Sequence, residues 1–255
     1  ARSIQRKLES PGALDNVPFA DNKIKLLEIL IEESCPIADI KLNDLTKKFP
    51  KLNANILGVI RDEKFIFLKK NDVMKNNDKA YVIINSSQMT ETLKAFGHNE
   101  KVSNKILIIG GGNVGFNLAK NIEQSFEDAR IKIIEKDKNR AEFIANELNN
   151  TIVINGNGLD EDILSEVNLE DVETVLALTN DDEDNLMVSV IVEKFSKDKR
   201  TMALINKPNY SLLKSSLKID DLIDPRLTTV SSILKHVHKG TIENAYSILN
   251  GEYEV

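Results

Sequence analysis

The feature that most constrains the fold is the segment 105–123, where a run of aliphatic residues leads into a glycine-rich turn and then into a polar segment. The run 105–109 has the unbroken apolar character of a strand that is covered on both faces. Val114, Leu118 and Ile122 then recur at the intervals of a helix with one apolar face. The segment therefore predicts a buried strand, a tight turn and a helix.

Three glycines occupy this turn in the spacing Gly110-x-Gly112-x-x-Gly115. In a strand-turn-helix unit, the first glycine permits the sharp turn, the second lets the backbone approach a pyrophosphate, and the third lets the helix pack closely on the strand. Free N–H groups in the first turn of the helix supply an anion site. Because such turns also occur without ligands, the spacing alone leaves a purely structural role open.

A second predicted strand, 131–135, ends in Glu135, about 20 residues after Gly115. A dinucleotide-binding fold places an acid at this position to accept hydrogen bonds from the hydroxyls of a ribose. The carboxylate also disfavours a 2′-phosphate by charge repulsion, although the neighbouring Lys136 weakens that effect. The alternative is an ordinary polar residue at a strand end, but the two features together favour a nucleotide site.

The alternation of strands and helices continues to residue 223. Further strands are predicted at 151–154, 172–178, 201–205 and 219–223. Six strands joined by right-handed crossovers form a doubly wound, Rossmann-like parallel sheet of the α/β class. Ligands of such sheets bind at the carboxyl ends of the strands. The residues at those ends are Gly110, Glu135, Gly156 and Thr179.

Residues 13–96 follow a different pattern and predict a small α+β lobe in front of the sheet domain. The apolar runs 56–60 and 65–68 flank a short polar segment, which is typical of a β-hairpin. A further strand is predicted at 80–85, followed by a helix. The polar segment 97–104 is the predicted linker between the two domains.

Composition narrows the class of protein. The chain has 255 residues, of which 41% are hydrophobic and 29% are charged, as in a globular protein of about two domains. No apolar run approaches the roughly 18 residues that cross a bilayer, and no signal peptide is visible. The single Cys35 excludes an internal disulfide framework and fits a reducing cytoplasm. The net charge of −6 argues against nucleic acid as a partner.

No metal site is predicted. His236 and His238 are two residues apart, so on a helix they point to different sides and make a poor pair of ligands. The acidic run 181–184 is better explained as the first turn of a helix, where negative charge complements the helix dipole. Asn180 and Glu183 are expected to form the capping pair of that helix.

An enzyme is the alternative function, because an NAD-dependent oxidoreductase has the same glycine turn. Hydride transfer to a carbonyl normally needs a positioned proton donor such as His, Tyr or Lys. His98 lies in the predicted linker, and Tyr81 lies in an apolar strand where core packing is the simpler interpretation. The sequence therefore predicts no catalytic residue.

The chain also repeats itself, since the opening segment around Gly12 is similar to the late segment around Gly240. We interpret the repeat as a tandem duplication that is cut at both ends, with chance similarity between short segments as the alternative. Residues 1–12 would then close an absent nucleotide-binding lobe. Residues 105–240 would form the nucleotide-binding domain of the next unit, and residues 241–255 would begin a second, truncated small lobe.

Four segments resemble, in motif and in order, the regulator-of-potassium-conductance (RCK) family: KILIIGGGNVGFNLAKNIE, IKIIEKDKNRAEFIANEL, VINGNGLDEDIL and VLALTNDDEDNLMVSVIVEK. Within that family the chain is most similar to the regulatory subunits of Trk-type potassium uptake systems, which carry two such units in tandem. The small lobe, with VIRDEKFIF and NDKAYVIINSSQMTETLKAFG, is similar to the C-terminal lobe of the family. The resemblance covers nearly the whole chain.

The resemblance implies a regulatory subunit rather than an enzyme. Such a subunit is cytoplasmic and peripheral on the inner face of the cell membrane, and it binds NAD(H) or the adenine nucleotides ATP and ADP. It gates a Trk-type membrane potassium transporter by a conformational change, and it assembles as a homo-oligomer, a dimer or a tetramer.

The resemblance also implies roles for single residues. The glycine turn cradles phosphates, a carboxylate holds a ribose, and polar residues after the third and fourth strands line the crevice. The implied nucleotide-binding residues are Gly110, Gly112, Asn113, Val114, Gly115, Glu135, Lys136, Gly156, Asn157, Thr179 and Asn180. The chain departs from the family at 156–159, where Gly-Asp-Ala-Thr is common. Family members matched to ATP often carry Arg at the position of Asn113, which favours NAD(H) here.

Overall fold

The structure is a computed structural model, and it describes residues 1–195, 199–213, 216–217, 219–226, 247–248 and 253–254. The chain divides into two compact units. One unit is Arg6–Val102, and the other combines Ala1–Gln5 with Ser103–Val255. The division falls within the segment 97–104, which the sequence predicts to be a linker.

The first unit is built on a five-stranded antiparallel sheet in the order β1-β2-β5-β3-β4. Helix α1 (Arg2–Glu9) comes first in the chain. The strands are β1 (Asp15–Phe19), β2 (Ile24–Leu30), β3 (Ala54–Arg61), β4 (Lys64–Phe67) and β5 (Lys79–Asn85), and the helices are α2 (Leu42–Lys48) and α3 (Met89–Ala95). The core between sheet and helices includes Leu27, Val82 and Leu93, all buried.

The predicted β-hairpin is confirmed as the pair β3–β4. Asp62 and Glu63 form its turn at φ angles of 50° and 60°, and such a left-handed pair matches the twist of the flanking strands. Strand β1 is an addition to the predicted elements. Its short polar sequence contains Pro18, which lacks an N–H and is tolerated because β1 lies at the edge of the sheet.

The second unit is built on a six-stranded parallel sheet whose strands alternate with helices. The strands are β6 (Lys105–Ile109), β7 (Arg130–Glu135), β8 (Ile152–Asn155), β9 (Thr174–Ala177), β10 (Arg200–Leu204) and β11 (Asp221–Ile223), and the helices are α4 (Asn113–Ser125), α5 (Lys138–Glu147), α6 (Glu161–Glu166) and α7 (Asp182–Phe195). Leu107, Ile108 and Leu176 are fully buried in it. Central parallel strands need such apolar sequences, because helices cover both faces of the sheet.

The strand order is β11-β10-β9-β6-β7-β8, and every pair is parallel. The chain winds outward from β6 through β7 to β8 and then returns to β9 on the other side of β6. The crevice between β6 and β9 is therefore the switch point at which doubly wound sheets bind ligands. The predicted fold class, a Rossmann-like sheet preceded by a small α+β lobe, is confirmed.

Several predictions concern residues that the structure does not describe. His236, His238 and Gly240 lie outside the described residues, as does most of 241–255. Two short strands at the end of the chain, β12 (Ser247–Ile248) and β13 (Tyr253–Glu254), pair antiparallel. The domain boundaries and the tandem duplication stay predictions. Within the described ranges, no helix combines the length and the apolar character needed to cross a membrane.

Candidate functional site

The carboxyl ends of β6, β7 and β9 lie side by side, so that the residues that follow them share one edge of the sheet. The backbone hydrogen bonds of the sheet continue one residue beyond the strands. Gly110 N donates to Ile134 O at 2.9 Å, and Leu178 N donates to Ile109 O at 2.8 Å. The start of the glycine turn is therefore held between the last residues of both neighbouring strands.

Two of the glycines are required by the fold itself. Gly110 has a φ of +104°, and a Cβ there would lie 2.9 Å from the backbone of Leu178. A Cβ on Gly115 would lie 2.1 Å from the backbone oxygen of Gly110, because α4 packs directly on the turn. Any side chain at either position would collide with backbone, which cannot move aside as a flexible side chain can.

Gly112 is different. It is the N-cap of α4 at a φ of −60°, which any residue adopts, and its backbone caps the helix without a side chain. Apart from its two chain neighbours, a Cβ there would have no heavy atom of the described structure within 4 Å. Packing therefore gives no reason for glycine at this position. The open space lies where the N–H groups of the first helical turn, from Asn113 onward, attract an anion.

Glu135 is fixed at the turn by backbone donors. Its Oε2 accepts from Gly111 N at 2.7 Å, and its Oε1 accepts from Asp137 N at 2.8 Å. The side chain is half-buried. Because each carboxylate oxygen can accept two hydrogen bonds, both oxygens keep one acceptor position for a ligand hydroxyl. The carboxylate that the sequence assigns to a ribose is thus held rigidly next to the glycine turn.

Arg140 is a residue of this site that the sequence analysis missed. Its Nε donates to Gly111 O at 2.8 Å, so the residue that donates its N–H to Glu135 also accepts from Arg140 through its carbonyl. The guanidinium carbon lies 5.3 Å from the ring centre of Phe116 and 4.9 Å from that of Phe143. A usable signal was present, since this arginine lies in the first turn of the helix that follows the acidic strand end.

The loop after β8 completes the same side of the edge. Asn155 Nδ2 donates to the backbone oxygens of Glu135 and Lys136 at 2.9 and 3.1 Å, and Gly156 N donates to Glu135 O at 3.0 Å. Asn157 is exposed and its Oδ1 accepts from the N–H of residue 159. The side chain of Lys136 is also exposed. Lys136, Gly156 and Asn157 are therefore neighbours of Glu135.

Thr179 lies on the other side of the turn, and its polar atoms are already engaged. Its hydroxyl lies 2.8 Å from Asn185 Oδ1 and accepts from Asp181 N at 3.1 Å. Asn185 is fully buried, accepts from Thr179 N at 2.9 Å, and donates to Leu204 O at 2.8 Å. Asn185 therefore ties the end of β9 to the end of β10. Asn180 is exposed beside this group.

The expected capping pair of Asn180 and Glu183 is wrong. The helix begins one residue later than that pair requires, and Asp181 caps it by accepting from Asp184 N at 2.9 Å. Glu183 instead accepts from Lys207 Nζ and from Tyr210 Oη, each at 2.6 Å. Lys207 and then Tyr210 lower the pKa of Glu183 from 4.5 to about 2.

Asp182, the other acid of the first helical turn, is almost completely buried. Its carboxylate accepts from Asn206 N and Lys207 N at 2.9 and 2.8 Å. Asp182 and Glu183 of the acidic run thus bind the start of α7 to the segment after β10. In the part of the chain that the structure describes, no group of three or more His, Cys, Asp or Glu residues could hold a metal ion.

A separate groove of about 930 Å³ lies at the opposite edge of the sheet. The amino ends of β6 and β7 line it, with Lys105, Glu123, Arg130 and Glu173 among its charged residues. Ligands of doubly wound sheets bind at the carboxyl ends of the strands. We therefore assign the candidate nucleotide site to the glycine-turn edge and not to this groove.

Comparison with known proteins identifies both units. Residues 106–225 match the TrkA-N domain, and residues 26–97 match the TrkA-C domain. The chain belongs to the TrkA family. It is 36% identical over 252 residues to the Trk system potassium uptake protein TrkA of Azorhizobium caulinodans, which covers 99% of this chain and 55% of that protein. It is 32% identical to the TrkA of Vibrio alginolyticus, over 98% of this chain and 54% of that protein.

The chain thus spans about half the length of the curated TrkA relatives that it matches. Solved structures share its fold. The crystal structure of the GsuK RCK domain superimposes with a TM-score of 0.60 at 16% identity, over 91% of this chain and 49% of that chain. The GsuK channel bound to NAD gives the same TM-score at 15% identity, over 91% of this chain and 41% of that chain. At these identities the likeness shows the fold alone.

Proposed function

We propose that this chain is the nucleotide-binding part of a regulatory subunit in a Trk-type potassium uptake system. One observation carries the proposal: within a TrkA-N domain, the Glu135 carboxylate is fixed to Gly111 beside a helix N-terminus whose Gly112 faces open space. Together these groups offer an acceptor for a ribose diol and an anion site for a pyrophosphate.

The arrangement gives each part of a dinucleotide a place along the edge. Glu135 accepts hydrogen bonds from the adenosine ribose, and the N–H groups that begin with Asn113 and Val114 receive the pyrophosphate. Lys136, Gly156 and Asn157 border the adenine side, since they adjoin Glu135. Thr179 and Asn180 border the crevice beyond β9, where the second nucleoside extends.

We assign NAD(H) as the preferred ligand, with ATP and ADP as weaker ones. The fixed carboxylate of Glu135 repels a 2′-phosphate, which disfavours NADP(H). Asn113 carries no charge at the first position of α4, so this position gives no cation to a triphosphate. The GsuK channel, which has the same fold, is described as bound to NAD.

In this proposal, nucleotide binding at this site changes the activity of a membrane partner. In this proposal the full protein assembles as a homo-oligomer, a dimer or a tetramer, on the cytoplasmic face of the membrane and contacts a Trk-type potassium transporter. Nucleotide can shift the assembly only if it binds one conformation more tightly than the other. The nucleotide is therefore a regulatory ligand and is not consumed.

Calorimetric titration of the chain with NADH, NAD, ATP and ADP tests the binding step. We expect NADH or NAD to bind most tightly, and the absorbance of NADH at 340 nm to persist on incubation. If none of the four nucleotides binds, the proposal is wrong. Oxidation of NADH with a carbonyl substrate would instead support the oxidoreductase alternative.

A second experiment tests regulation. The full-length protein and its transporter are reconstituted in vesicles, and potassium flux is measured with and without each nucleotide. We expect flux to change with NAD(H). Flux that ignores every adenine nucleotide, in a system where binding has been demonstrated, would leave the nucleotide as a structural ligand and contradict gating.

A further inference from the structure

Arg140 stands out because it brings a positive charge to a turn that is arranged for an anion. Its Nε donates to Gly111 O at 2.8 Å, and its side chain is half-buried. A guanidinium has five N–H donors, and this bond uses one of them. In the residues that the structure describes, the two terminal nitrogens make no hydrogen bond to protein, so their donors are available to a ligand.

Two aromatic rings hold the guanidinium in place. Phe116 in α4 and Phe143 in α5 lie 5.6 Å apart, and the guanidinium carbon lies about 5 Å from both ring centres. Phe143 is 45% exposed, so the stack is open to solvent on one side. Arg140 is therefore pre-positioned by two rings and one backbone bond, and it loses little side-chain freedom when it binds an anion.

The helix that faces the site has no cation in its own first turn. Asn113 and Val114 are neutral, and the anion site there rests on N–H groups and the helix dipole. Lys120 also lies over the Phe116 ring, with Nζ 5.7 Å from the ring centre, but it is nearly two turns further along α4. Among the described residues, Arg140 is the cation whose side chain is hydrogen-bonded to the turn, at Gly111 O.

We infer that Arg140 is the residue that recognises phosphate at this site, through its terminal nitrogens. In this inference, which rests on the proposed nucleotide function, the neighbouring helix α5 supplies the positive charge that α4 lacks at Asn113. The site then selects phosphorylated adenine ligands over adenosine. The other possibility is that Arg140 only shapes the turn through Gly111, in which case its loss affects every ligand of the site equally.

The experiment compares ADP with adenosine, which differ only in phosphate, and includes NADH. Affinities for the wild-type chain, Arg140→Met and Arg140→Lys are measured by calorimetry. Methionine keeps an unbranched apolar stem against the two rings, and lysine restores charge without the fork of donors. Lys120→Met is the matched control, since it removes a cation that contacts the same ring.

For Arg140→Met we expect the affinity for ADP and NADH to fall between tenfold and a hundredfold, the range for a hydrogen bond to a charged group. The affinity for adenosine should change less than twofold. Arg140→Lys should recover part of the loss, and Lys120→Met should bind as the wild type does. Raising the salt concentration should weaken ADP binding less in Arg140→Met than in the wild type, because one ionic contact is gone.

Three outcomes would overturn the inference. Equal losses for ADP and adenosine would reduce Arg140 to a residue that shapes the turn. Unchanged ADP binding in Arg140→Met would remove it from the site. If Lys120→Met loses as much ADP affinity as Arg140→Met, the effect comes from the overall positive charge near the site and not from a contact of Arg140. Failure of the wild type to bind any nucleotide contradicts the proposed function instead, so the two failures are distinguishable.

Discussion

The two halves of the carboxyl edge differ in how their polar groups are used. At the ends of β6 and β7, Glu135 is fixed by backbone but keeps acceptor positions, and the space above Gly112 is open. At the ends of β9 and β10, Asn185 and Asp182 are buried and bonded to backbone, and the Thr179 hydroxyl is bonded to its neighbours. The polar groups of the β6–β7 half are partly open to solvent, and those of the β9–β10 half bond the ends of the strands to α7.

The difference teaches that a polar residue at the carboxyl end of a strand does not by itself mark a ligand site. Buried polar groups are almost always paired, so the useful question is which donors and acceptors remain after internal pairing. By that criterion Glu135, Arg140 and the N–H groups after Gly112 are the best candidates for ligand contact. Thr179 is a weaker one, because a ligand would have to compete with Asn185.

The largest expected effect is on stability and concerns the β9–β10 half. Asn185→Ala should lower the free energy of unfolding by about 3 kcal/mol, because it leaves the part-buried N–H of Thr179 and the buried carbonyl of Leu204 without the partner that Asn185 supplies. Asn180→Ala is the control, since Asn180 is exposed nearby. Urea denaturation measures both. If both variants lose the same free energy of unfolding, the two halves do not differ in the way described.

The next effect is on binding and concerns the β6–β7 half. Glu135→Ala should weaken NADH binding by about 1.5–3 kcal/mol, the range for a hydrogen bond to a charged group. Thr179→Val should change the binding free energy by less, since the hydroxyl that it removes serves Asn185 and Asp181. Calorimetry measures both. If Thr179→Val costs more affinity than Glu135→Ala in folded protein, the ligand contacts the β9 end instead.

A pair of glycine substitutions separates fold from function inside the turn. Gly115→Ala should destabilise the protein by about 2 kcal/mol, because its Cβ would meet the backbone of Gly110 at 2.1 Å. Gly112→Ala should lower stability by no more than about 1 kcal/mol, the cost of a poorer N-cap, and lower NADH affinity about tenfold, as the methyl group occupies the space of the pyrophosphate. Thermal unfolding and titration check the pair. Normal NADH affinity in Gly112→Ala would make the turn structural only.

Much of the fold could be predicted from the sequence, because its signals are local. Unbroken apolar runs predict parallel strands that are covered on both faces, and the strands β6 and β7 lie where their runs predict them. The glycine spacing requires only that a strand, a turn and a helix follow one another. Asp137 caps α5 by accepting from Arg140 N, a contact between residues three apart in the sequence.

The missing parts of the candidate site depend on contacts between distant elements. The local signal for Arg140 is its place in the first turn of α5, but its bond to Gly111 arises because α5 packs beside the turn. Asn185 and Asp182 lie at the start of a helix, where sequence rules favour local capping. Asn185 nevertheless donates to Leu204 O at the end of β10, and Asp182 accepts from Asn206 N just after it. Strand β1 was missed because its edge position tolerates Pro18, which argues against a strand in the interior of a sheet.

The smallest expected effect concerns an exposed contact at the β10 end, the ion pair of Glu183 with Lys207. Lys207, and after it Tyr210, lower the pKa of Glu183 from 4.5 to about 2. A carboxylate with a lowered pKa in the folded state stabilises that state above its ordinary pKa. This contribution is lost as the pH falls from about 4.5 to about 2.

Glu183→Gln should therefore be less stable than the wild type at pH 6, and the difference should shrink across this window until the two proteins are equal near pH 2. The effect is small, because both side chains are more than half exposed and salt screens them. Urea midpoints at closely spaced pH values, at low and high salt, measure it. Lys207→Met should remove most of the same pH dependence, as Lys207 is its main cause. If the wild type and Glu183→Gln lose stability in parallel from pH 6 to pH 2, the contact does not hold in solution, and the β10 end is less firmly closed than Asn185 and Asp182 indicate.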